Sequence, residues 1–150
     1  MMDRPLLISS LIAHAGKWHG DQEIVTKTVE GPIHRYTWSE AEKRAKKFAQ
    51  ALLKLGVKQG DRVGTLAWNT YRHVEAYYGI SGIGAVTHTI NPRLFPEQLE
   101  YVVNHADDQF LVIDTTFVGL VEALLPKAPN VKGVIVLADK ANMPDVSQLR

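Results

Sequence analysis

The most informative stretch of the sequence reads Gly82-Ile83-Gly84-Ala85-Val86-Thr87-His88-Thr89-Ile90-Asn91-Pro92-Arg93-Leu94. Its first glycines are typical of a helix end, and the mostly apolar and β-branched run over Ala85–Ile90 predicts a strand. The Asn-Pro pair predicts a polar loop, because the residue before a proline is pushed into an extended conformation. A further helix is expected behind the loop, since Pro96 suits a first helical turn, where no amide donor is needed.

The same alternation of strands and helices extends in both directions along the chain. Short apolar runs predict strands at Arg62–Ala67, Ala85–Ile90, Phe110–Asp114 and Val131–Leu137. Helical patterns fall between or beside them at Tyr71–Ile83, Pro96–His105 and Phe117–Leu125. Because a strand returns about every 20–25 residues, the pattern predicts parallel βαβ units with right-handed crossovers. The fully apolar run Phe110–Ile113 favours a sheet that helices cover on both faces.

Ahead of these units, the sequence predicts a helix and a β-hairpin. The helix is expected over Pro5–Ala15 and is expected to end at Gly16. The hairpin strands are expected at Gln22–Thr28 and Ile33–Tyr36, joined by a turn at Glu30-Gly31-Pro32. The fold class is therefore α/β: a mostly parallel sheet of βαβ units flanked by helices, with an N-terminal helix and hairpin.

A longer helix is predicted directly after the hairpin. Thr37-Trp38-Ser39-Glu40 is a capping-box pattern, in which the threonine hydroxyl and the glutamate carboxylate each accept from a free main-chain amide. The helix is expected to end at Gly56, where a left-handed residue is best tolerated. Its buried side is predicted from apolar positions three and four residues apart, which are Trp38, Ala41, Ala45, Phe48, Leu52 and Leu55.

Composition limits the class of protein. The 150 residues carry 17 basic and 16 acidic side chains without a basic stripe, so nucleic acid is not expected as a partner. The absence of cysteine excludes disulfides, thiolate metal sites and a cysteine nucleophile. Met1–Pro5 and the residues after it form neither a signal sequence nor a membrane span, which favours a cytoplasmic protein. We expect residues 1–150 to form one unit, compact over about 20–138, with a polar tail from Ala138 to Arg150.

Two catalytic interpretations of residues 79–84 fail on the sequence. The fifth position of a Gly-x-Ser-x-Gly nucleophile elbow is Ile83, and a dinucleotide loop follows a strand, whereas these glycines precede one. A glycine-capped helix exit is the better interpretation. The chain has no phosphate-binding glycine loop, and no pair of histidines stands at His-x-x-x-His spacing. We therefore expect no catalytic, cofactor-binding or metal-ligating residue here.

Polar residues nevertheless follow two predicted strands at their carboxyl ends, the edge where ligands bind in open α/β sheets. As parts of a possible site wall or interface we select Asn69, Arg72, His73, His88, Asn91 and Arg93. Asn69 or Thr70 could instead cap the next helix. His88 either faces a helix with its ring hydrogen-bonded or lines a cavity. Arg93 could pair with a helix carboxylate, or reach a ligand or a partner chain.

Aromatic residues recur on the predicted helices at core-facing or semi-buried spacings. They are Tyr71, Tyr77, Tyr78, Phe95 and Tyr101. Core packing explains this spacing better than a cofactor-binding cluster does.

Three ordered stretches carry a resemblance to a known family. They are Tyr36–Glu40, Gly60–Asn69 and Gly82–Leu94. Together they resemble the N-terminal part of the AMP-forming acyl-CoA synthetases, in the adenylate-forming superfamily. Three stretches look like the fatty-acyl branch of that family: Trp68–His73, His88–Leu94 and Asn104–Asp108. The resemblance implies that a fatty acid carboxylate attacks the α-phosphate of ATP with Mg²⁺ present, giving an acyl-adenylate and pyrophosphate, and that the thiol of coenzyme A then displaces AMP.

The chain also departs from this family. The Ser/Thr/Gly-rich phosphate loop ending in Pro-Lys, the adenine-site segment, the ribose-binding aspartate and the late catalytic lysine are all absent from the 150 residues. We therefore expect an N-terminal fragment, inactive alone and binding no cofactor, whose partner is the rest of the same polypeptide. Exposed apolar surface is expected to make it dimerise or swap elements with a second copy. The alternative is a free-standing α/β module for ligand binding or protein interaction.

Overall fold

A computed structural model of the chain describes residue 3 and residues 5–149. The expectations for the first residues and for the end of the polar tail fall in part on Met1, Met2, Arg4 and Arg150, which lie outside the described residues. The helices are α1 (Ser9–Trp18), α2 (Trp38–Lys54), α3 (Tyr71–Gly82), α4 (Pro96–Ala106) and α5 (Val118–Leu124). The strands are β1 (Glu23–Lys27), β2 (Ile33–Thr37), β3 (Arg62–Leu66), β4 (Val86–Thr89), β5 (Asp108–Asp114) and β6 (Gly133–Leu137).

The main sheet is parallel and has the strand order β4-β3-β5-β6. Its central strands are buried; Val63 on β3 and Val112 and Ile113 on β5 are fully enclosed. One apolar cluster joins the sheet to α4 and α5, and a second joins it to α2 and α3. Helices therefore cover both faces, which confirms the predicted α/β class.

The N-terminal helix and hairpin form a separate layer against α2 and α3. β1 and β2 pair antiparallel, with Ile24 opposite Tyr36. A third apolar cluster fixes this layer, and its buried members are Ile12, Tyr36, Ala41, Ala45 and Tyr71. The predicted hairpin is thus confirmed, and it lies beside the start of α3.

The predicted capping box at the start of α2 is confirmed. The Glu40 amide donates to Thr37 Oγ1 at 3.3 Å, and the Thr37 amide donates to Glu40 Oε2 at 2.8 Å. Gly56, just beyond the helix, has φ +90°. The helix exit at residues 79–84 is confirmed as well, because Gly84 has φ +76° and Gly79 lies against the Ala45 carbonyl of α2.

Two local predictions are wrong. Gly16 does not end α1, which continues to Trp18; a Cβ at Gly16 would clash with the Glu42 carboxylate, so the glycine serves close packing against α2. Leu55 does not belong to the buried side of α2. The helix ends at Lys54, and Leu55, the first residue beyond it, is 54% exposed.

Two aromatic residues predicted to pack inward are exposed. Phe95 is 72% exposed and Tyr101 is 63% exposed, because Leu99 and Val103 occupy the core-facing side of α4. Tyr101 stacks instead on His105, with ring centroids 5.3 Å apart.

Within the described part of the chain, every helix is too short or too polar to cross a membrane.

Candidate functional site

A cleft of about 530 Å³ opens between β1 and α3, where β3 and β4 end. Its lining residues are Ile24, Val25, Thr26, Trp38, Asn69, Thr70, Tyr71, His73, Val74, Tyr77, Tyr78 and Thr89. None of them is an aspartate, glutamate, lysine or arginine. The cleft therefore offers hydroxyl, amide and aromatic groups to an occupant, but no formal charge.

His73 is a titratable residue of this lining that contacts the sheet. Its Nε2 lies 3.1 Å from Thr65 Oγ1 on β3. Burial lowers the pKa of His73, while a hydrogen bond with the Trp68 main chain and the nearby Asp114 carboxylate raise it. The ring is thus favoured in its neutral form and is tied to two protein groups, which suits a fixed wall residue better than a general base.

Thr70 occupies the N-cap position of α3, yet its side chain makes no cap hydrogen bond. Its Oγ1 is buried without a hydrogen-bond partner. The expected side-chain cap at this helix is therefore wrong, because the hydroxyl is enclosed in the protein away from the helix amides. Asn69 is exposed at the rim of the cleft.

Arg72 lies outside this cleft, in a smaller neighbouring cavity of about 160 Å³. Its guanidinium is 7% exposed and donates to Glu30 Oε1 at 2.8 Å and to Asp139 Oδ2 at 2.9 Å. The Tyr71 ring lies 5.0 Å from it. Arg72 thereby joins the turn of the hairpin to the segment that follows β6.

His88 lies on the opposite face of the sheet from the cleft. Its Nδ1 is 2.8 Å from Asp108 Oδ2, and the Asp108 side chain is fully buried. Gly64, the β3 neighbour of His88, leaves room for this pair because a Cβ there would lie 3.0 Å from Asp108 Oδ2. Burial raises the pKa of Asp108, although its hydrogen bond to His88 opposes the rise. Of the alternatives for His88, the structure shows the hydrogen-bonded ring.

The Asn-Pro loop does not line the cleft. Asn91 Oδ1 accepts from the Arg93 amide at 3.0 Å, and both side chains are exposed. Of the six selected residues, only Asn69 and His73 therefore line the same cleft. Arg72 and His88 have ion-pair or hydrogen-bond partners elsewhere in the fold.

Sequence reasoning missed the aromatic part of the cleft. Tyr77 and Tyr78 follow His73 and Val74 by four residues each, so all four lie along one side of α3. That spacing was available in the sequence. The position of β1 and Trp38 opposite α3 was not available in the sequence, since they meet α3 only after the hairpin folds back.

The ATP that the family resemblance implies does not fit the lining of the cleft. ATP phosphates need exposed amides of a glycine-rich loop or basic side chains, and the cleft supplies neither. Across residues 3 and 5–149, no cluster of three or more His, Asp or Glu side chains is placed to hold a metal ion.

Comparison with known proteins identifies relatives along almost the whole chain. The family described as AMP-binding enzyme matches residues 12–149. A 3-methylmercaptopropionyl-CoA ligase from Ruegeria lacuscaerulensis is 50% identical over 93% of this chain and 26% of its own length. A medium-chain-fatty-acid–CoA ligase from Ectopseudomonas oleovorans is 46% identical over 92% of this chain and 25% of its own length.

The fold comparison agrees with these sequence matches. The crystal structure of the anthranilate CoA ligase AuaEII in complex with anthranoyl-AMP superposes with a TM-score of 0.78 at 24% identity. It covers 90% of this chain and 26% of that one, so it shows a shared fold. The chain spans about a quarter of the length of the Ruegeria and Ectopseudomonas ligases, as a fragment would. The resemblance to acyl-CoA ligases is confirmed, and the chain belongs to the AMP-binding enzyme family.

Proposed function

We propose that this chain is the N-terminal part of a fatty-acid–CoA ligase, which turns ATP, a fatty acid and coenzyme A into acyl-CoA, AMP and pyrophosphate. The observation that carries the proposal is the 46% identity to a medium-chain-fatty-acid–CoA ligase over 92% of the chain. The 50% identical relative is also a CoA ligase, named for a different acyl group. The shared element is activation of a carboxylate and transfer of its acyl group to a thiol.

Within this ligase, the chain acts as scaffold. Residues 1–150 form an N-terminal subdomain of the large adenylate-forming domain, compact over about 20–138, and are inactive alone. Binding of ATP, Mg²⁺ and coenzyme A belongs to the rest of the parent polypeptide, since the cleft lining carries no charged side chain. Asn69 and His73 contribute a neutral wall at the carboxyl edge of the sheet. The protein works in the cytoplasm.

The proposal is tested first on the parent gene and then on the parent protein. The codons after Arg150 should encode a Ser/Thr/Gly-rich loop ending in Pro-Lys. The purified parent, given ATP, Mg²⁺ and coenzyme A, should release AMP only when a carboxylic acid is added. Comparing medium-chain fatty acids with 3-methylmercaptopropionate defines the acyl class. A parent without the loop, or without acid-dependent AMP release, would contradict the proposal.

We also propose that the isolated chain self-associates. Val134, Ile135 and Val136 on β6 are only partly buried, and β6 pairs with β5 alone among the described strands. Leu11 and Trp18 on α1 are 60% and 65% exposed. Apolar surface and an open strand edge both favour association.

A free-standing ligand-binding or interaction module has less support. The Ruegeria and Ectopseudomonas relatives are both CoA ligases, and the chain spans about a quarter of each. A natural stop codon after Arg150, together with a stable monomer in solution, would restore this alternative.

A further inference from the structure

Two exposed histidines meet at the end of α1. The ring centroids of His14 and His19 lie 5.8 Å apart, and the ring planes are inclined by 56°. Neither ring makes a hydrogen bond or an ion pair with any other described residue. The other histidines each contact a partner elsewhere in the fold; they are His34, His73, His88 and His105. The ring nitrogens of His14 and His19 are therefore available to a metal ion.

The way in which α1 ends brings these two rings together. Side chains five positions apart on a continuous helix point to different sides. α1 ends at Trp18, and His19 has φ −131° and ψ 28°, outside helical values, while its amide still donates to the Ala15 carbonyl. The chain thus leaves the helix at His19, and the ring of His19 approaches His14. The pair was not predictable from its spacing alone, because it depends on where the helix ends.

The separation of the two rings fits two ligands of one zinc ion. Zinc binds imidazole nitrogen at about 2.0–2.1 Å and is tetrahedral in structural sites, which sets two imidazole centroids roughly 5 Å apart. A small rotation of the exposed side chains from the observed 5.8 Å reaches this value. The carbonyl end of α1 also favours a positive ion nearby.

A single copy of the chain supplies only half of such a site. Across residues 3 and 5–149, no third His, Asp or Glu side chain is placed to share a metal ion with this pair. A structural zinc site takes four protein ligands. A second copy related by a twofold axis supplies the same two histidines and brings the number of ligands to four.

The surface around His14 suits contact with a second copy. Leu11 lies three positions before His14 and Trp18 lies four positions after it, so all three are neighbours on the surface of α1. Leu11 and Trp18 are 60% and 65% exposed. Lys17, whose Nζ lies 4.9 Å from the Trp18 ring, opposes a cation by charge repulsion. Binding therefore depends on the imidazole ligands and on burial of the apolar neighbours.

We propose that His14 and His19 from two copies of the chain bind one zinc ion in a tetrahedral four-histidine site. The ion joins the two copies through α1. The site shares no residue with the lining of the cleft and does not rest on the proposed ligase activity. Mg²⁺, the metal of the ligase reaction, prefers oxygen ligands and does not occupy it.

Zinc binding by the parent protein and its His14→Gln variant tests the stoichiometry of this site. Both proteins are stripped with EDTA and dialysed against zinc. The wild type should bind one more zinc ion per two chains than the variant, because removing a ligand should lower the affinity of the site at least about tenfold. His105→Gln is the matched control, since His105 is also exposed but stacks on Tyr101, and it should bind zinc as the wild type does.

Two results of this experiment would overturn the proposal. A difference of one zinc ion per chain would mean that a single copy holds the ion. Equal binding by the wild type and His14→Gln, which apolar association without metal predicts, would mean that the histidines bind no zinc.

Cobalt(II) gives a second readout that reports the geometry of the site. Tetrahedral cobalt absorbs visible light far more strongly than octahedral cobalt, and coordination geometry reflects the number and kind of ligands. The wild-type parent should show the strong tetrahedral bands, and both His14→Gln and His19→Gln should lose them. In EDTA, both variants should unfold at the wild-type Tm, because both side chains are exposed. A weak octahedral spectrum would mean that water completes the site within one copy, contrary to the proposal.

Discussion

Asp114 is the residue whose chemistry most directly supports the rim of the cleft. It ends β5 with a fully buried carboxylate, and its Oδ2 accepts from the Trp68 amide at 2.6 Å. The other oxygen, Oδ1, is buried without a partner. Burial raises the pKa of Asp114, and the Trp68 amide opposes the rise. The carboxylate fixes the loop that leads into α3, although burying its charge is unfavourable.

Asp114→Asn should therefore change the pH dependence of stability. An amide oxygen can still accept from Trp68, so the two proteins should be nearly equal at about pH 3, below the unfolded Asp pKa of about 3.9. Above this unfolded pKa, the Asp114 carboxyl ionises in the unfolded chain but keeps its proton in the folded chain. Wild-type stability then falls relative to the variant until the raised folded pKa is passed, after which the difference is constant. Urea unfolding across this pH range measures the difference; a pH-independent difference would contradict the account.

Gly64 is the position where the sheet tolerates no side chain. A Cβ there would lie 2.7 Å from Leu111 and 3.0 Å from Ile90, besides its contact with Asp108. Gly64→Ala should lower the free energy of unfolding by about 1–3 kcal/mol through overpacking. Gly82→Ala is the matched control, because no atom lies within 4 Å of its Cβ. The control should be neutral or stabilise by up to about 1 kcal/mol in denaturant unfolding.

Among the elements, α2 has the best-defined start. Thr37→Ala removes the hydroxyl that accepts from the Glu40 amide, and should lower the free energy of unfolding by about 1 kcal/mol. Ser39→Ala, in the same first turn, is the control and should change it by less than about 0.5 kcal/mol. Thermal or denaturant unfolding measures both. Equal losses would show that the capping box does not stabilise the helix.

Element positions were largely predictable from the sequence, because they follow from local periodicity. α3 was expected over Tyr71–Ile83 and spans Tyr71–Gly82, and the capping box fixed the start of α2. The prediction that α1 ends at Gly16 is wrong, because a contact with Glu42, distant in the sequence, overrides the usual role of glycine at a helix end. The cleft was not predictable, since it forms where β1 meets α3, about 50 residues later in the chain.

At the scale of the whole molecule, exposed apolar surface predicts association. The molar mass of the isolated chain, measured by light scattering, should rise with concentration. Leu11→Lys should weaken this rise, because it places a charge on a residue that is 60% exposed. Tyr101→Lys is the control variant, because it places the same charge elsewhere on the surface, on the outer side of α4. A monomer at the highest concentration would contradict the prediction.

On the proposed function, this chain and the remainder of its parent divide the work of the ligase between them. The chain supplies an α/β scaffold and a cleft whose lining has no charged side chain, and the same proposal assigns the phosphate-binding groups to the remainder of the ligase. The most direct test mixes the purified 150-residue chain with ATP, Mg²⁺, coenzyme A and a fatty acid, and measures the release of AMP. The parent protein is assayed in parallel. We predict AMP release by the parent and none above the blank by the chain. Fatty-acid-dependent AMP release by the chain alone would contradict the account.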